Sequence, residues 1–140
     1  MKMHPIGREL KLLASRFESI AGSELSPLGI TAAQAQLLII LDNSTDTLMP
    51  QKKLEKAIGA SQASVAGIIS RLEAKELISC KRDGEDRRIQ LIAITEKGNE
   101  LCKPAFAALK IAEEKAFKNL SSEEKGFLLS LIAKANFEQA

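Results

Sequence analysis

Residues 84–98 read GEDRRIQLIAITEKG. The first residues of this stretch suit a charged, tight turn, the run Arg88–Ile94 is β-prone, and Thr95 is a helix-capping residue. A second β-prone run, Leu77–Arg82, lies on the other side of the turn. The stretch therefore predicts a β-hairpin with a charged tip that leads directly into a helix.

Two short helices are predicted immediately upstream of this hairpin. The first should begin at Pro50, whose missing N–H costs nothing at a first helical position, and should end at Gly59. Ser61 should cap the second helix through its hydroxyl. Because so few residues separate the two helices, they must cross steeply, as in a helix-turn-helix. Their predicted inward residues are Leu54, Ala57, Ile58, Val65, Ile68, Ile69 and Leu72.

Longer helices are predicted on both sides of this unit. The first should end near Gly22, and the second, from about Thr31 to Leu41, opens with the capping box Thr31-x-x-Gln34. A second capping box, Ser121-x-x-Glu124, precedes the last helix. Thr95 should cap a long helix that bends or restarts at Pro104, because proline removes a helical hydrogen bond. The apolar stripes of the first and last helices are Leu10, Leu13, Phe17 and Ile20, and Leu128, Leu131, Ile132 and Ala135. Apolar stripes on two terminal segments that flank a small domain are what an interlocked dimer requires.

The charges are unevenly distributed along the chain. It has 140 residues, 45% of them hydrophobic, and a formal net charge of +2. Residues 51–90 carry 9 basic and 6 acidic side chains, against 4 and 5 in residues 1–50 and 7 and 7 in residues 91–140. The positive excess coincides with the predicted helix-turn-helix and hairpin tip, which modestly favours a polyanionic partner.

Other classes of protein fit the sequence poorly. Cys80 and Cys102 are far apart and lie in no Cys/His cluster, so no disulfide or metal site is expected, and the predicted location is a reducing cytoplasm. No apolar stretch approaches the roughly 20 residues of a membrane span. With one histidine, no glycine-rich phosphate loop and no nucleophile motif, an enzyme is not predicted. No cofactor is expected either.

The chain resembles the MarR family of transcriptional regulators over nearly its whole length. Asp86-Arg87-Arg88 is similar to the Asp-x-Arg wing motif of that family, and Leu91–Gly98 is similar to the Leu-Thr-x-x-Gly sequence that follows it. Gly59-Ala60-Ser61, Val65 and Arg71-Leu72-Glu73 match the turn and recognition helix. The resemblance implies a mainly α fold with a small β-hairpin wing, in which residues 1–30 and 96–140 form dimerisation helices around a winged helix-turn-helix at 31–95.

The same resemblance implies a homodimeric, sequence-specific transcriptional regulator that binds double-stranded DNA at a pseudo-palindromic operator. In family members a small-molecule effector binds between the dimer helices and the DNA-binding lobe, which favours a ligand-responsive repressor. No residue of this sequence identifies the effector, the operator or the sign of regulation.

Candidate DNA contacts follow from this arrangement. Gln62 and Ser64, at the start of the recognition helix, are candidates for base edges, and Ser61 with the helix-end N–H groups for phosphate. The family motif assigns Arg88 to a minor groove and Asp86 to bracing it, and Asp86 is expected to pair with Arg71 or Arg88. The remaining candidate contacts are Gln51, Lys52 and Lys53 at the start of the preceding helix, Arg71 on the recognition helix, and Arg87 at the wing tip.

One position departs from the family pattern, and two alternative functions stay open. Members often carry a basic residue where this chain has Gly67, so one contact with DNA is expected to be missing. A winged-helix module that binds proteins instead of DNA would show no salt-dependent DNA binding and no effect of Arg88. A thiol redox sensor would need an exposed, activated thiolate, for which only Lys81 and Lys103 lie nearby in sequence.

Overall fold

The computed structural model describes residues 5–137, and this part of the chain contains six α-helices and one three-stranded antiparallel sheet. The predicted architecture, mainly α with a small β wing, is confirmed. The helices are α1 (Pro5–Leu25), α2 (Ala32–Asn43), α3 (Gln51–Ile58), α4 (Gln62–Ala74), α5 (Glu96–Ala116) and α6 (Ser122–Asn136). The strands are β1 (Met49–Pro50), β2 (Ile78–Arg82) and β3 (Gln90–Ile94), and a 3₁₀ turn (Ser26–Leu28) follows α1.

The predicted helix-turn-helix consists of α3 and α4. Gly59 ends α3 in the left-handed region at φ 74°, and the Ser61 hydroxyl accepts a hydrogen bond from the Ser64 N–H at 3.2 Å. The prediction that Ala57 points inward is wrong, because this side of α3 faces an open cleft and Ala57 is exposed, while Ile58 is half-buried. The other predicted inward residues are buried, namely Leu54, Val65, Ile68, Ile69 and Leu72.

The wing hairpin joins a third strand that the sequence did not predict. β2 pairs with β3, with Cys80 opposite Ile92, and β1 adds to the other edge of β3 with Met49 also opposite Ile92. Pro50 lies in β1 and precedes the first residue of α3, so its predicted place inside the helix is wrong. β1 has only two residues, which are too few to show the alternation of apolar and polar side chains that predicts a strand. The pairing depends instead on burial of Met49 and Ile92, which are 3% and 0% exposed.

The long helices are more continuous than their glycine and proline residues predicted. α1 runs past Gly22 to Leu25, because Ala21 and Leu25 are fully buried and hold its last turn in the core. The chain turns only after Pro27, at Gly29, which has φ 71°. Of the bend or restart predicted at Pro104, the restart is also wrong, since one α5 helix spans Glu96–Ala116. Pro104 is exposed, while the buried face of α5 holds Cys102, Ala105, Ala108, Ala112 and Ala116.

The core lies where α1, α2 and α5 pack together and α4 packs beneath α2. Both predicted capping boxes form, at Thr31 with Gln34 and at Ser121 with Glu124. Among residues 5–137, no single helix is long and apolar enough to cross a membrane. α1 with its 3₁₀ extension and α2 reach that length and composition only as a pair bent by 72°.

Candidate nucleic-acid interface

The start of α4 is exposed and capped by a serine pair. Ser61 Oγ accepts from the Ser64 backbone N–H at 3.2 Å and donates to Ser64 Oγ at 3.0 Å. Gln62, Ala63 and Ser64 are all exposed. The first N–H groups of an α-helix have no acceptor inside the helix, and the helix dipole makes this end positive. The start of α4 therefore presents small and neutral side chains together with hydrogen-bond donors, which suits close approach to a phosphate backbone.

Arg71 folds back along the exposed face of α4. Its Nη1 atom lies 3.7 Å from the position that a Cβ on Gly67 would occupy. Long helical side chains lean toward the helix N-terminus, so this placement follows from their four-residue separation. The guanidinium therefore lies over the position where MarR-family members often carry a basic residue.

The wing arginine is held by a two-point ion pair. Arg88 Nε and Nη2 donate to the two carboxylate oxygens of Asp86, each at 3.1 Å, and the Arg88 backbone N–H donates to Asp86 Oδ1 at 3.0 Å. These hydrogen bonds lower the pKa of Asp86 below its usual value and raise the pKa of Arg88. Of the two partners expected for Asp86, the structure therefore shows Arg88 and not Arg71. The side chain of Arg88 remains 91% exposed.

The backbone of the wing tip is closed by its own hydrogen bonds. The Asp83 N–H donates to the Ile89 carbonyl at 2.9 Å, and the Ile89 N–H donates to the Asp86 carbonyl at 3.0 Å. Glu85 N–H donates to Asp83 Oδ1 at 3.0 Å, which is typical of an Asx turn. Arg87 is exposed within this tip. The tip is thus an ordered turn that carries two neighbouring guanidinium groups.

One groove connects the wing with both helices of the helix-turn-helix. It has a volume of about 430 Å³ and is lined by residues of α3, α4, β2 and β3. Four predicted contact residues line it together, namely Gln51, Lys52, Gln62 and Arg88. Ser61, Ser64, Lys53, Arg71 and Arg87 do not line this groove.

The structure adds one cationic side chain to the predicted interface and shows that another is already held in an ion pair. Arg82, at the end of β2, lines the groove together with Arg88, although the sequence showed it only as one end of a β-prone run. Lys53 donates to Asp46 at 2.5 Å across an exposed ion pair. Lys53 is therefore partly neutralised, while Arg82 is a groove residue that the hairpin pattern contained but did not distinguish.

Neither thiol has the environment of an activated cysteine. Burial raises the pKa of the Cys80 thiol above its ordinary value. Burial, with the charge of Asp42, raises the pKa of Cys102 to about 11. Cys102 Sγ lies within hydrogen-bond distance of the Gly98 and Leu38 carbonyls, at 3.4 and 3.6 Å. Because reactive thiols require a lowered pKa, this geometry disfavours the redox-sensor alternative.

A larger cleft opens between the helix-turn-helix and the long helices. It has a volume of about 510 Å³ and is mainly apolar, with Lys110 and Glu113 as its charged groups. Its position between α3 and the helices α1, α2 and α5 is where the family resemblance predicted an effector cleft. Its other lining residues are Phe17, Gln36, Ile39, Ile40, Ala57, Ile58, Phe106 and Leu109.

Comparison with known proteins shows that the chain is similar to winged-helix regulators. Residues 30–90 match the MarR family model. A structure of Bordetella bronchiseptica BpsR, solved to explain regulation of its DNA binding by 6-hydroxynicotinic acid, is 25% identical, with a TM-score of 0.87 over 96% of this chain and 100% of that one. A probable transcriptional regulator from Pseudomonas aeruginosa is also 25% identical, with a TM-score of 0.83 over 93% and 96%.

A third similar structure is a mutant of E. coli MarR complexed with operator DNA. It is 23% identical and has a TM-score of 0.84 over 95% of this chain and 94% of that one. At this identity the likeness concerns the fold. The family match covers the helix-turn-helix and most of the wing, and the structural matches cover the long helices as well. Residues 30–90 therefore match the MarR family model, and the chain as a whole has the fold of the similar winged-helix structures.

Proposed function

We propose that this protein is a homodimeric, sequence-specific DNA-binding transcriptional regulator, in which each copy presents one winged helix-turn-helix to one half of a pseudo-palindromic operator. The observation that carries the proposal is the groove in which Lys52, Gln62 and Arg88 converge from three separate elements. The operator-DNA complex of the E. coli MarR mutant supports it, because that protein shares the fold. A dimer follows from the exposed apolar surfaces of α1 and α6.

The contact residues divide by the part of DNA that they reach. Gln62 and Ser64 approach base edges in the major groove, and the capped start of α4 at Ser61 approaches phosphate. Arg88, oriented by Asp86, enters the adjacent minor groove, where a narrow groove strengthens the negative potential. The remaining cations and amides contact the backbone, which positions the protein without reading sequence. These are Gln51, Lys52, Lys53, Arg71, Arg82 and Arg87.

The protein acts as a ligand-responsive repressor in the cytoplasm. The 510 Å³ cleft between α3 and the long helices takes the effector, as regulation of BpsR by 6-hydroxynicotinic acid suggests for a similar fold. An effector that fits one spacing of the two recognition helices better than another shifts the population toward that spacing. No catalytic reaction is proposed for this protein.

Selection of genomic DNA fragments by the purified protein tests this function. We expect a pseudo-palindromic motif, and titration of the best fragment against salt should give a slope of about −0.9 per phosphate contact on a logarithmic plot. Protein that has been unfolded, dialysed and refolded serves as a control that removes any co-purified effector. If neither preparation enriches a motif at low salt, the protein-binding module is the correct function.

A further inference from the structure

The turn that follows the recognition helix bonds to both junctions between the DNA-binding domain and the long helices. This turn, Lys75–Leu77, connects α4 to β2 and contains Glu76 in the left-handed region at φ 62°. One junction is the connection between α1 and α2, which includes Gly29. The other is the start of α5 at Thr95. At these two junctions, near residues 30 and 95, the chain passes between the predicted dimerisation helices and the predicted DNA-binding domain.

Lys75 bonds to the first junction. Its ammonium donates to the Gly29 carbonyl at 2.7 Å and to Gln34 Oε1 at 2.9 Å. Gln34 is 4% exposed and is the buried polar side chain of the described core. Its Oε1 also accepts the Thr31 N–H at 3.2 Å, within the capping box of α2. The Lys75 side chain therefore connects the end of the recognition helix to the cap of α2.

The backbone of the same turn bonds to the second junction. The carbonyls of Lys75, Glu76 and Leu77 accept, in order, from Lys97 Nζ at 3.1 Å, Thr95 Oγ1 at 2.8 Å and Thr95 N–H at 3.1 Å. The start of α5 lies so close to this turn that a Cβ on Gly98 would be 2.1 Å from the Leu77 carbonyl oxygen. Three successive carbonyls thus hold the first turn of α5.

We infer that the Lys75–Leu77 turn sets the orientation of the recognition helix relative to the dimerisation helices, and that Lys75 is its positioning residue. The inference rests on the proposed DNA-binding function. In a dimer, the tilt of each recognition helix relative to these helices sets the distance between the two recognition helices. The turn therefore selects the spacing of operator half-sites, which must match the helical repeat of DNA. Loss of the Lys75 hydrogen bonds detaches the turn from the α1–α2 connection. The protein should then bind operators over a broader range of half-site spacings.

The test uses Lys75→Met in the full chain, because methionine keeps most of the apolar stem and removes the ammonium. Affinity is measured for the selected operator and for operators with one base pair inserted or removed between half-sites. We expect the preference for the natural spacing to fall about fivefold or more, in the range typical of coupling between sites. The slope of affinity against salt should not change. Lys118→Met, which removes an exposed charge in the turn that follows α5, is the matched control and should keep the preference.

Gln34→Met is a second variant, since this nearly buried side chain cannot touch DNA. It should broaden the range of half-site spacings that the protein binds, as Lys75→Met does. The double variant should show little more broadening than either single variant, because both substitutions remove the same hydrogen bond. A salt slope reduced by about one in Lys75→Met would overturn the inference and make Lys75 a phosphate contact. An unchanged spacing preference in folded Lys75→Met and Gln34→Met proteins would overturn it as well. If the unaltered protein selects no operator, the proposed function fails before this test begins.

Discussion

Arg88 illustrates how one exposed side chain is prepared for a partner. An ion pair on the surface contributes little to folding, because water and salt screen both charges. The pair with Asp86 instead restricts the guanidinium to one orientation while leaving it 91% exposed. The ion pair is therefore expected to contribute to the affinity for DNA rather than to the stability of the fold.

Replacement of Arg88 by alanine should weaken operator binding about tenfold or more and leave the folded dimer intact. The physical reason is loss of a guanidinium from a minor groove, with no buried contact removed. Arg8→Ala, at another exposed ion pair, on α1, is the matched control. Fluorescence anisotropy measures the affinity, and circular dichroism with light scattering measures the folded dimer. Unchanged affinity would remove the wing from the mechanism.

Replacement of Gly67 by arginine should raise DNA affinity by adding a phosphate contact, with the salt slope steeper by about one. A side chain fits at this position, since the atom nearest to its Cβ would be the flexible Arg71 Nη1 at 3.7 Å. Gly67→Ala, the control, should only stabilise the helix, by about 1 kcal/mol. If both variants lose affinity, DNA approaches α4 so closely that position 67 must remain glycine.

Cys102 should be unreactive toward iodoacetamide at pH 8 in the folded protein. With its pKa raised to about 11 from an ordinary value of 9.0, little thiolate is present at that pH. The raised pKa also stabilises the folded state fully below pH 9, and this contribution is lost as the pH rises through 11. Cys80→Ala leaves Cys102 as the thiol to be followed by mass spectrometry, and Cys102→Ala provides the comparison. Rapid labelling of Cys102 would revive the redox alternative.

The contact between α5 and the turn before β2 shows why an element boundary needs a particular residue. Gly98 is the third residue of α5, and its position is buried against the Leu77 carbonyl. A helix would ordinarily gain from alanine at such a site. The neighbouring backbone leaves no room for the added methyl group.

Gly98→Ala should therefore destabilise the protein by about 1–3 kcal/mol or more, the usual cost of overpacking. Gly126→Ala is the matched control, because Gly126 also lies within a helix and a Cβ there would meet nothing within 4 Å. That variant should gain up to about 1 kcal/mol. Urea unfolding at one fixed protein concentration measures both. Equal effects of the two substitutions would mean that α5 does not approach Leu77 so closely in solution.

Residues 5–137 together leave a broad apolar surface uncovered. Residues 122–136 of α6 include no buried residue, and Phe127, Leu129 and Leu131 are 69%, 70% and 63% exposed. Ile6 and Leu10 of α1 are also exposed, and the start of α1 lines a groove with Leu128. Exposed apolar patches of this kind mark association surfaces. Because the patch joins the first helix, α1, to the last helix, α6, we expect a second copy to cover it.

Leu131→Lys should dissociate the dimer, because it places a charge on the apolar stripe of α6. Ser130→Lys adds the same charge about 100° around the same helix from Leu131, outside the apolar stripe, and should leave the dimer intact. Sedimentation velocity over a range of concentrations measures the outcome. Removal of the chain after Leu120 should give monomeric or insoluble protein. A stable dimer in both the Leu131 and truncated variants would place the interface elsewhere.

Short-range signals made the DNA-binding unit predictable. Ser61, Thr31, Ser121 and Thr95 located helix starts correctly, because a cap bonds to an N–H only three residues away. The Asp86–Arg88 pair was one of the two pairings expected for Asp86 for the same reason, since a single residue separates its members. The hairpin and the buried face of α4 followed from periodic apolar residues. These features were local, so local sequence was sufficient.

The remaining features depend on residues that lie far apart in the chain. The pairing of Met49 with Ile92, the link from Lys75 to Gln34 and the presence of Arg82 in the groove each require the complete fold. The same holds for Gly22 and Pro104, which are local helix breakers that did not break their helices. Burial of Leu25 and of the alanines of α5 stabilises those helices, and such burial arises only when distant segments meet.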